Sequence, residues 1–305
     1  MKKTKLTISP CNLCPKECGA LRDEGQVGFC RVDSAARVAL VSHHMWEEPC
    51  ISGKNGSGTV FFSGCNLGCV FCQNGGISQV DPKHVPGQVV TAEELAGIFL
   101  SQQESGAHNI NLVTADHYLP TVVSALTMAK AKNLVIPVVY NCSGYEKKEL
   151  IEALSGLVDV YLTDFKYADN ELAMRLSKTP DYFEVAKVAL EEMVRQTGPL
   201  KFDEEGMMQK GVIVRHLVLP LHKKNSKECL RYLNETYDER IYVSLMNQYT
   251  PPERLKEDER FKDIARKLTA REYEDVVAYA LELGLTHCFI QEGKTASESF
   301  IPEFK

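Results

Sequence analysis

From about residue 57 onward, short runs of apolar and β-branched residues alternate with longer segments in which apolar positions recur every three or four residues. Runs of the first kind fit strands buried on both faces, and segments of the second kind fit amphipathic helices. Their alternation is the pattern of βα units around a parallel sheet. It predicts strands over 59–63, 109–114, 136–141, 158–165, 211–219, 240–246 and 287–291. Helices are expected over 92–103, 121–133, 147–155, 182–197, 226–235 and 271–283. About six or seven such units define an α/β fold, a partial (β/α)6-type TIM barrel over residues 58–305, rather than a closed eight-unit barrel. The charged stretch 251–267 begins with two prolines and is expected to form a solvated helical excursion before the last unit. Residues 1–57 differ. They are rich in Cys, Gly and charge and have one strand-like stretch, at 37–42, which marks a small Cys-rich N-terminal module that needs a bound metal for order.

In parallel sheets the functional groups gather where the strands end and the βα loops begin. The conspicuous polar residues lie there. Cys65 follows the first predicted strand, Asp116 and His117 the second, Asn141 and Ser143 the third, and Asp164 and Lys166 the fourth. Arg215 and His216 fall within the fifth, and Asn247 and Gln248 follow the sixth. A charge at Arg215 inside an apolar run requires a partner or a ligand, because an unpaired buried charge costs several kcal/mol. His216 reads as a satisfied core histidine rather than a base.

The chain has 305 residues, 44% hydrophobic and 25% charged, and a net charge of −6. That balance gives no basic stripe for nucleic acid or an anionic membrane and points to a small-molecule or protein substrate. No run approaches the ~18 apolar residues of a spanning helix, and the first ten residues carry lysines without a secretory apolar core, so a cytoplasmic location is expected. Eleven cysteines in that compartment do not read as a disulfide framework. Seven fall into two tight groups, Cys11/Cys14/Cys18/Cys30 and Cys65/Cys69/Cys72, which is how metal ligands are distributed. The other four, Cys50, Cys142, Cys229 and Cys288, read as small buried hydrophobes.

The string Ser63-Gly64-Cys65-Asn66-Leu67-Gly68-Cys69-Val70-Phe71-Cys72-Gln73-Asn74 places a C-x3-C-x2-C spacing directly after a strand. One loop can then wrap three corners of a cubane and leave the fourth iron open, with Gly64 and Gly68 permitting backbone turns that a Cβ would obstruct. Zinc is the competing occupant, but it closes four ligands. The motif, with an aromatic residue before its third Cys, resembles that of the radical S-adenosylmethionine (SAM) superfamily. The surrounding text Glu47-Glu48-Pro49, Gly56-Ser57-Gly58-Thr59 and Cys72-Gln73-Asn74 is similar to an uncharacterised branch related to pyruvate formate-lyase-activating enzymes.

The resemblance implies an oxygen-sensitive oxidoreductase with a [4Fe–4S] cluster on Cys65, Cys69 and Cys72, whose open iron chelates SAM. It implies reductive cleavage of SAM to a 5′-deoxyadenosyl radical, an electron donor such as flavodoxin or ferredoxin, and a protein or peptide substrate. It places Phe71 near the adenine, Asn141 and Ser143 near the methionine and ribose, Asp164 and Lys166 beside SAM, and Arg215 within reach of SAM or substrate. SAM's carboxylate asks for a cation, which Lys166 or Arg215 can supply, Arg with the bidentate option. Two departures stand out. Thr114-Ala115-Asp116-His117 replaces the family's Gly-Gly-Glu stretch, with Asp116 as the candidate carboxylate. The extra cysteines precede the SAM loop instead of following it. Radical modification of another peptide or a metabolite, and a non-catalytic iron–sulfur or zinc module, are the alternative functions.

The N-terminal set, C-x2-C-x3-C-x11-C, supplies four thiolates from a segment too small to own a core. Structural zinc and an auxiliary [4Fe–4S] cluster both suit it, and the spacing does not decide between them. His43, His44, Trp46, Glu47 and Glu48 form a further polar group, read either as a solvated turn or as carboxylates near the cluster mouth that orient substrate.

Overall fold

The computed structural model describes residues 5–291. Ten strands form one mixed sheet: β1 (Arg37–His44), β2 (Ser57–Phe62), β3 (Gln88–Val89), β4 (Ile110–Val113), β5 (Val138–Cys142), β6 (Val160–Asp164), β7 (Lys201–Phe202), β8 (Met208–Leu217), β9 (Tyr242–Met246) and β10 (Cys288–Ile290). Seven of them, in the order β2-β4-β5-β6-β8-β9-β10, are parallel. Each of these seven overlaps a strand that the hydrophobic pattern predicts. Every residue of β2, β4 and β5 is buried, as expected where helices cover one face of a parallel sheet and packed side chains fill the other.

The helices are α1 (Pro49–Ser52), α2 (Gly75–Ser78), α3 (Ala92–Glu104), α4 (Leu119–Ala131), α5 (Lys148–Ala153), α6 (Asn170–Ser177), α7 (Tyr182–Thr197), α8 (Lys223–Tyr237) and α9 (Ala270–Glu282). Two start at complete capping boxes, Thr91 with Glu94 and Thr269 with Glu272, in which side chains satisfy first-turn amides reciprocally. The result is an α/β fold with a mostly parallel sheet, consistent with a partial barrel.

Besides the short elements α1, α2, β3 and β7, which the sequence pattern does not predict, the structure departs from it as follows. β1 is longer than expected and pairs antiparallel with β2 from Val38–Phe62 to His44–Ser57, so the sheet runs continuously across residue 57. The stretch 251–267 forms two 3-10 turns rather than a solvated helix, and it buries Leu255, Phe261 and Ile264. Helix α6 has no counterpart among the predicted helices; Asp169 caps it, accepting from the amides of Glu171 and Leu172.

The segment between β1 and β2 enters the barrel. Pro49 opens the single turn α1, whose Cys50 and Ile51 pack against Val139, Val160, Leu162 and Ile213 of the parallel strands. Asn109 Nδ2 donates to the Ile51 carbonyl at 2.7 Å and Ser57 Oγ donates to Asn109 Oδ1 at 2.6 Å, fixing this plug in place. Two apolar residues are too few to register as a periodic pattern, so the sequence reads the segment as polar. Residues before β1 carry little regular structure. Arg22 fastens them to the barrel, donating to the carbonyl of His117 at 2.7 Å, while Lys147 pairs with Glu17.

Candidate active site

The C-terminal ends of the parallel strands converge on a cavity of about 390 Å³. The loop after β2 brings Cys65, Cys69, Phe71, Cys72, Gln73 and Asn74 to its wall; β4 leads to Thr114; β5 and its loop give Asn141, Cys142 and Ser143. Asp164 and Lys166 come from β6, Arg215 and Leu217 from β8, Gln248 and Gln291 from beyond β9 and β10. His44, at the end of β1, and Trp46 and Glu47, just after it, reach the same space. The candidates Cys65, Cys69, Phe71, Cys72, Asn141, Ser143, Asp164, Lys166, Arg215 and Gln248 line one cavity; Asp116, His117, His216 and Asn247 do not.

The cysteine loop is held from several directions. Gly64 sits at φ +94°, where a Cβ would fall 2.9 Å from the Cys30 carbonyl oxygen and from His117 Nε2. Gly68, at φ +65°, faces the ring of Phe29. Asn66 is wholly buried and donates to the Tyr145 carbonyl at 3.0 Å. Ser177, in the last turn of α6, donates its hydroxyl proton to Cys69 Sγ at 3.1 Å, and the Val70 amide donates to the Leu176 carbonyl at 2.9 Å. Burial and the neighbouring thiols push Cys65 up, while burial raises Cys69 to about 11 against the opposing pull of Lys166. Coordination to a cation would remove these protons. Ser177 is a site residue that the sequence reading missed; the signal on offer was the Asp169 cap, since the eight-residue helix after it is too short to show a period.

Below the thiols lies a charged floor. Asp164 pairs with Lys166 and accepts from Arg215 Nε at 3.1 Å. Arg215 also donates to Asn141 Oδ1 at 2.6 Å and to Glu47 Oε2 at 3.2 Å. Glu47 Oε1 accepts from Asn111 at 3.1 Å and Asn141 at 3.4 Å. Burial raises the Asp164 carboxyl, but Lys166 and Arg215 outweigh it and hold Asp164 below the usual range. The partner that sequence alone demanded for Arg215 is thus supplied by two carboxylates. Glu47 faces the cavity, whereas Glu48 is buried beneath it, 7% exposed, with Oε2 lacking a hydrogen-bond partner. A solvated turn does not describe either residue.

Asp116 is displaced from its expected place. It is fully buried behind the cavity wall, accepts from the Tyr140 hydroxyl at 2.8 Å and leaves Oδ2 without a partner. Burial raises it to about 6. Thr114, in a left-handed conformation at φ +58°, is the residue of that stretch that reaches the cavity. His216 accepts the reading given to it: its ring nitrogens bond Phe165 O at 2.7 Å and Ser226 Oγ at 2.9 Å, and burial lowers it to about 4. Among the described residues, no group of three or more His, Cys, Asp or Glu side chains is gathered so as to hold a single metal ion, in either cysteine set.

The loop after β5 turns at Gly144, φ +81°, where a Cβ would lie 2.1 Å from the Asp164 carbonyl oxygen. Both strands carrying site residues would have to move to admit a methyl group. Gly144→Ala is therefore expected to destabilise the protein by more than ~1 kcal/mol, beyond the ordinary cost of forcing φ above zero. Thermal denaturation checks this; an unchanged melting temperature would mean that the loop yields freely.

Residues 59–200 match the family model of the radical SAM superfamily. An uncharacterised protein of Methanocaldococcus jannaschii is 35% identical over 279 residues, which cover 90% of this chain and 75% of the relative. The FeFe-hydrogenase maturase HydG from Carboxydothermus hydrogenoformans aligns with 80% of this chain and 56% of its own at 13% identity and a TM-score of 0.52, a likeness of fold alone. SuiB of Streptococcus suis, solved with precursor peptide SuiA, aligns at 13% identity and a TM-score of 0.46 over 76% of this chain and 47% of that one. The chain spans about half the length of these two solved structures. Residues 59–200 thus form a radical SAM superfamily domain, and that family implies a [4Fe–4S] cluster, SAM and reductive SAM cleavage.

Proposed function

We propose that Cys65, Cys69 and Cys72 ligate three irons of a [4Fe–4S] cluster whose fourth iron takes SAM, and that the chain abstracts hydrogen from a protein or peptide glycine, as glycyl-radical-enzyme activases do. The observation that carries the reading is the joining of these three thiols to Asn141, Ser143, Asp164, Lys166 and Arg215 around one cavity. The donor set fits: three thiols come from one loop, while the other thiol on the wall, Cys142, belongs to β5 and is buried, 3% exposed. A cluster held there would supply the single electron that cleaves SAM to methionine and a 5′-deoxyadenosyl radical able to abstract a hydrogen atom.

The chain's own residues orient and shield. Lys166 and Arg215 meet the SAM carboxylate, Asp164 accepts from its hydroxyl or ammonium donors, and Phe71 offers an apolar face to the adenine. A cavity of about 390 Å³ is near the lower end of small-ligand pockets, so SAM occupies most of it. The substrate then presents only a small group, which suits a backbone glycine on a larger partner better than a whole metabolite. Trp46, 63% exposed at the rim, with exposed Met45 beside it, gives such a partner an apolar landing.

Anaerobic reconstitution, reduction and addition of SAM should yield 5′-deoxyadenosine; an intact cluster without that product would sink the reading. Electron paramagnetic resonance of the mixture with glycyl-radical-type partner proteins tests the substrate. A finer test concerns Glu47, which competes with SAM for Arg215. Glu47→Gln keeps the side chain's size but removes the competing charge. It is expected to tighten SAM binding about three- to tenfold, roughly 1 kcal/mol of charge-assisted contact. Calorimetric titration measures this, and an unaltered Kd would mean that Arg215 does not meet the SAM carboxylate.

A further inference from the structure

Arg22 heads the fully buried side chains, at 1% exposure, yet none of its contacts among the described residues is a carboxylate. Its guanidinium donates to the carbonyls of Val32, Asp33 and His117 and reaches Cys11 Sγ at 3.9 Å. Arg is always charged, and carbonyl dipoles alone leave a buried charge uncompensated. Besides His117 and Tyr118, which burial keeps uncharged, the ionisable groups around it are the N-terminal cysteines: Arg22 acts electrostatically on Cys30, which in turn interacts with Cys11 and Cys18, and Cys14 with Cys11 and Cys30. All four thiols are free of disulfides. The backbone is shaped to admit Cys18, because a Cβ at Gly28 would lie 2.4 Å from Cys18 Sγ.

Placement separates an iron–sulfur cluster from zinc. The N-terminal thiols stand against the cysteine loop of the barrel. Lys16 interacts electrostatically with both Cys14 and Cys69, its ammonium lies 4.3 Å from the centroid of Phe29, and Phe29 fills the notch at Gly68. The carbonyl of Cys30 closes the notch at Gly64. Only a layer of side chains separates the two thiol sets. A structural zinc gains nothing from that proximity; an electron carrier requires it.

We propose that Cys11, Cys14, Cys18 and Cys30 hold an iron–sulfur cluster, with Arg22 as its buried counter-charge, that relays single electrons to the cysteine loop of the barrel. The electron originates on a low-potential one-electron flavin or iron–sulfur carrier protein. The carrier is oxidised by one electron, the N-terminal cluster is reduced and reoxidised in turn, and no bond or proton is transferred. The relay rests on the proposed cluster at Cys65, Cys69 and Cys72; the N-terminal site does not.

The test uses the full chain, purified anaerobically, and treats the two sites separately. In the Cys65/Cys69/Cys72→Ala variant, roughly four irons and four sulfides per chain are expected to remain without zinc. Adding Cys14→Ser and Cys18→Ser should remove them, with circular dichroism confirming that the fold persists. Zinc without sulfide, or no metal at all, overturns the site. In the same background, Arg22→Gln is expected to lower the cluster's midpoint potential while Arg22→Lys preserves it; equal potentials overturn the counter-charge. In the otherwise intact chain, Cys14→Ser/Cys18→Ser should slow reduction of the loop's cluster by a carrier protein at least tenfold and leave reduction by dithionite unchanged. Equal carrier rates overturn the relay, whereas lack of any cluster in that variant would count against the barrel-loop reading instead.

Discussion

Cys69→Ala is expected to abolish 5′-deoxyadenosine formation, a loss of at least about 10³-fold, or ~4 kcal/mol of barrier. Cys69 is the middle thiol of its loop and the one that the surroundings support most fully. Ser177 donates to its sulfur, and the Lys166 charge favours its thiolate. Removing it leaves two loop thiols for three irons. Iron and acid-labile sulfide at the barrel site should fall together with product formation, while the N-terminal cysteines are untouched. Ser177→Ala removes the supporting hydrogen bond and keeps all three thiols, so a loss of about 10- to 100-fold in activity or cluster retention is expected, the range for groups that orient ligands. Retained iron and full product formation in Cys69→Ala would dismiss the ligand assignment.

The second large effect concerns stability. Arg215→Met leaves Glu47 and Asp164 facing each other across the barrel with Lys166 as the remaining cation of the floor. Removing one partner of a buried ion network costs roughly 3–5 kcal/mol, because the surviving charges lose their compensation. At ~2–4 °C per kcal/mol for a domain of this class, the melting temperature should fall by about 10 °C. Combining it with Glu47→Gln should recover part of the loss, since one stranded charge is then removed; the coupling is read from the double-mutant cycle. A single variant melting within about 3 °C of the parent would show that the floor is not held by these charges.

The repeating units were legible because each strand is a continuous apolar run and each major helix carries a three-to-four-residue period, so the parallel order and the convergence of strand-end residues could be anticipated. Cys65, Cys69 and Cys72 announced themselves by spacing. Asn141, Asp164 and Lys166 did so by standing at strand ends, where the cavity indeed lies, and Arg215 by being a charge inside an apolar run. Asp116 also stands just beyond a strand end, but the left-handed turn at Thr114 carries it behind the wall. Position along a strand does not reveal that twist of the backbone. Glu47 and Glu48 were ambiguous for a related reason. Two charged residues beside a proline look like surface, and only the pairing of β1 with β2 forces the connection between them into the barrel. Helix α6 was too short to show a period, although its cap was present in the sequence.

The plug carried by Pro49–Ser52 closes the end of the barrel opposite the thiols. Any ligand of the cavity is therefore expected to enter beside Trp46, on the side away from the plug. The family-matching stretch begins at residue 59, yet the lumen it surrounds is filled by residues upstream of that start. A fragment trimmed to the recognisable core would be hollow where Ile51 belongs and would lack Glu47, one of the two acids that balance Arg215.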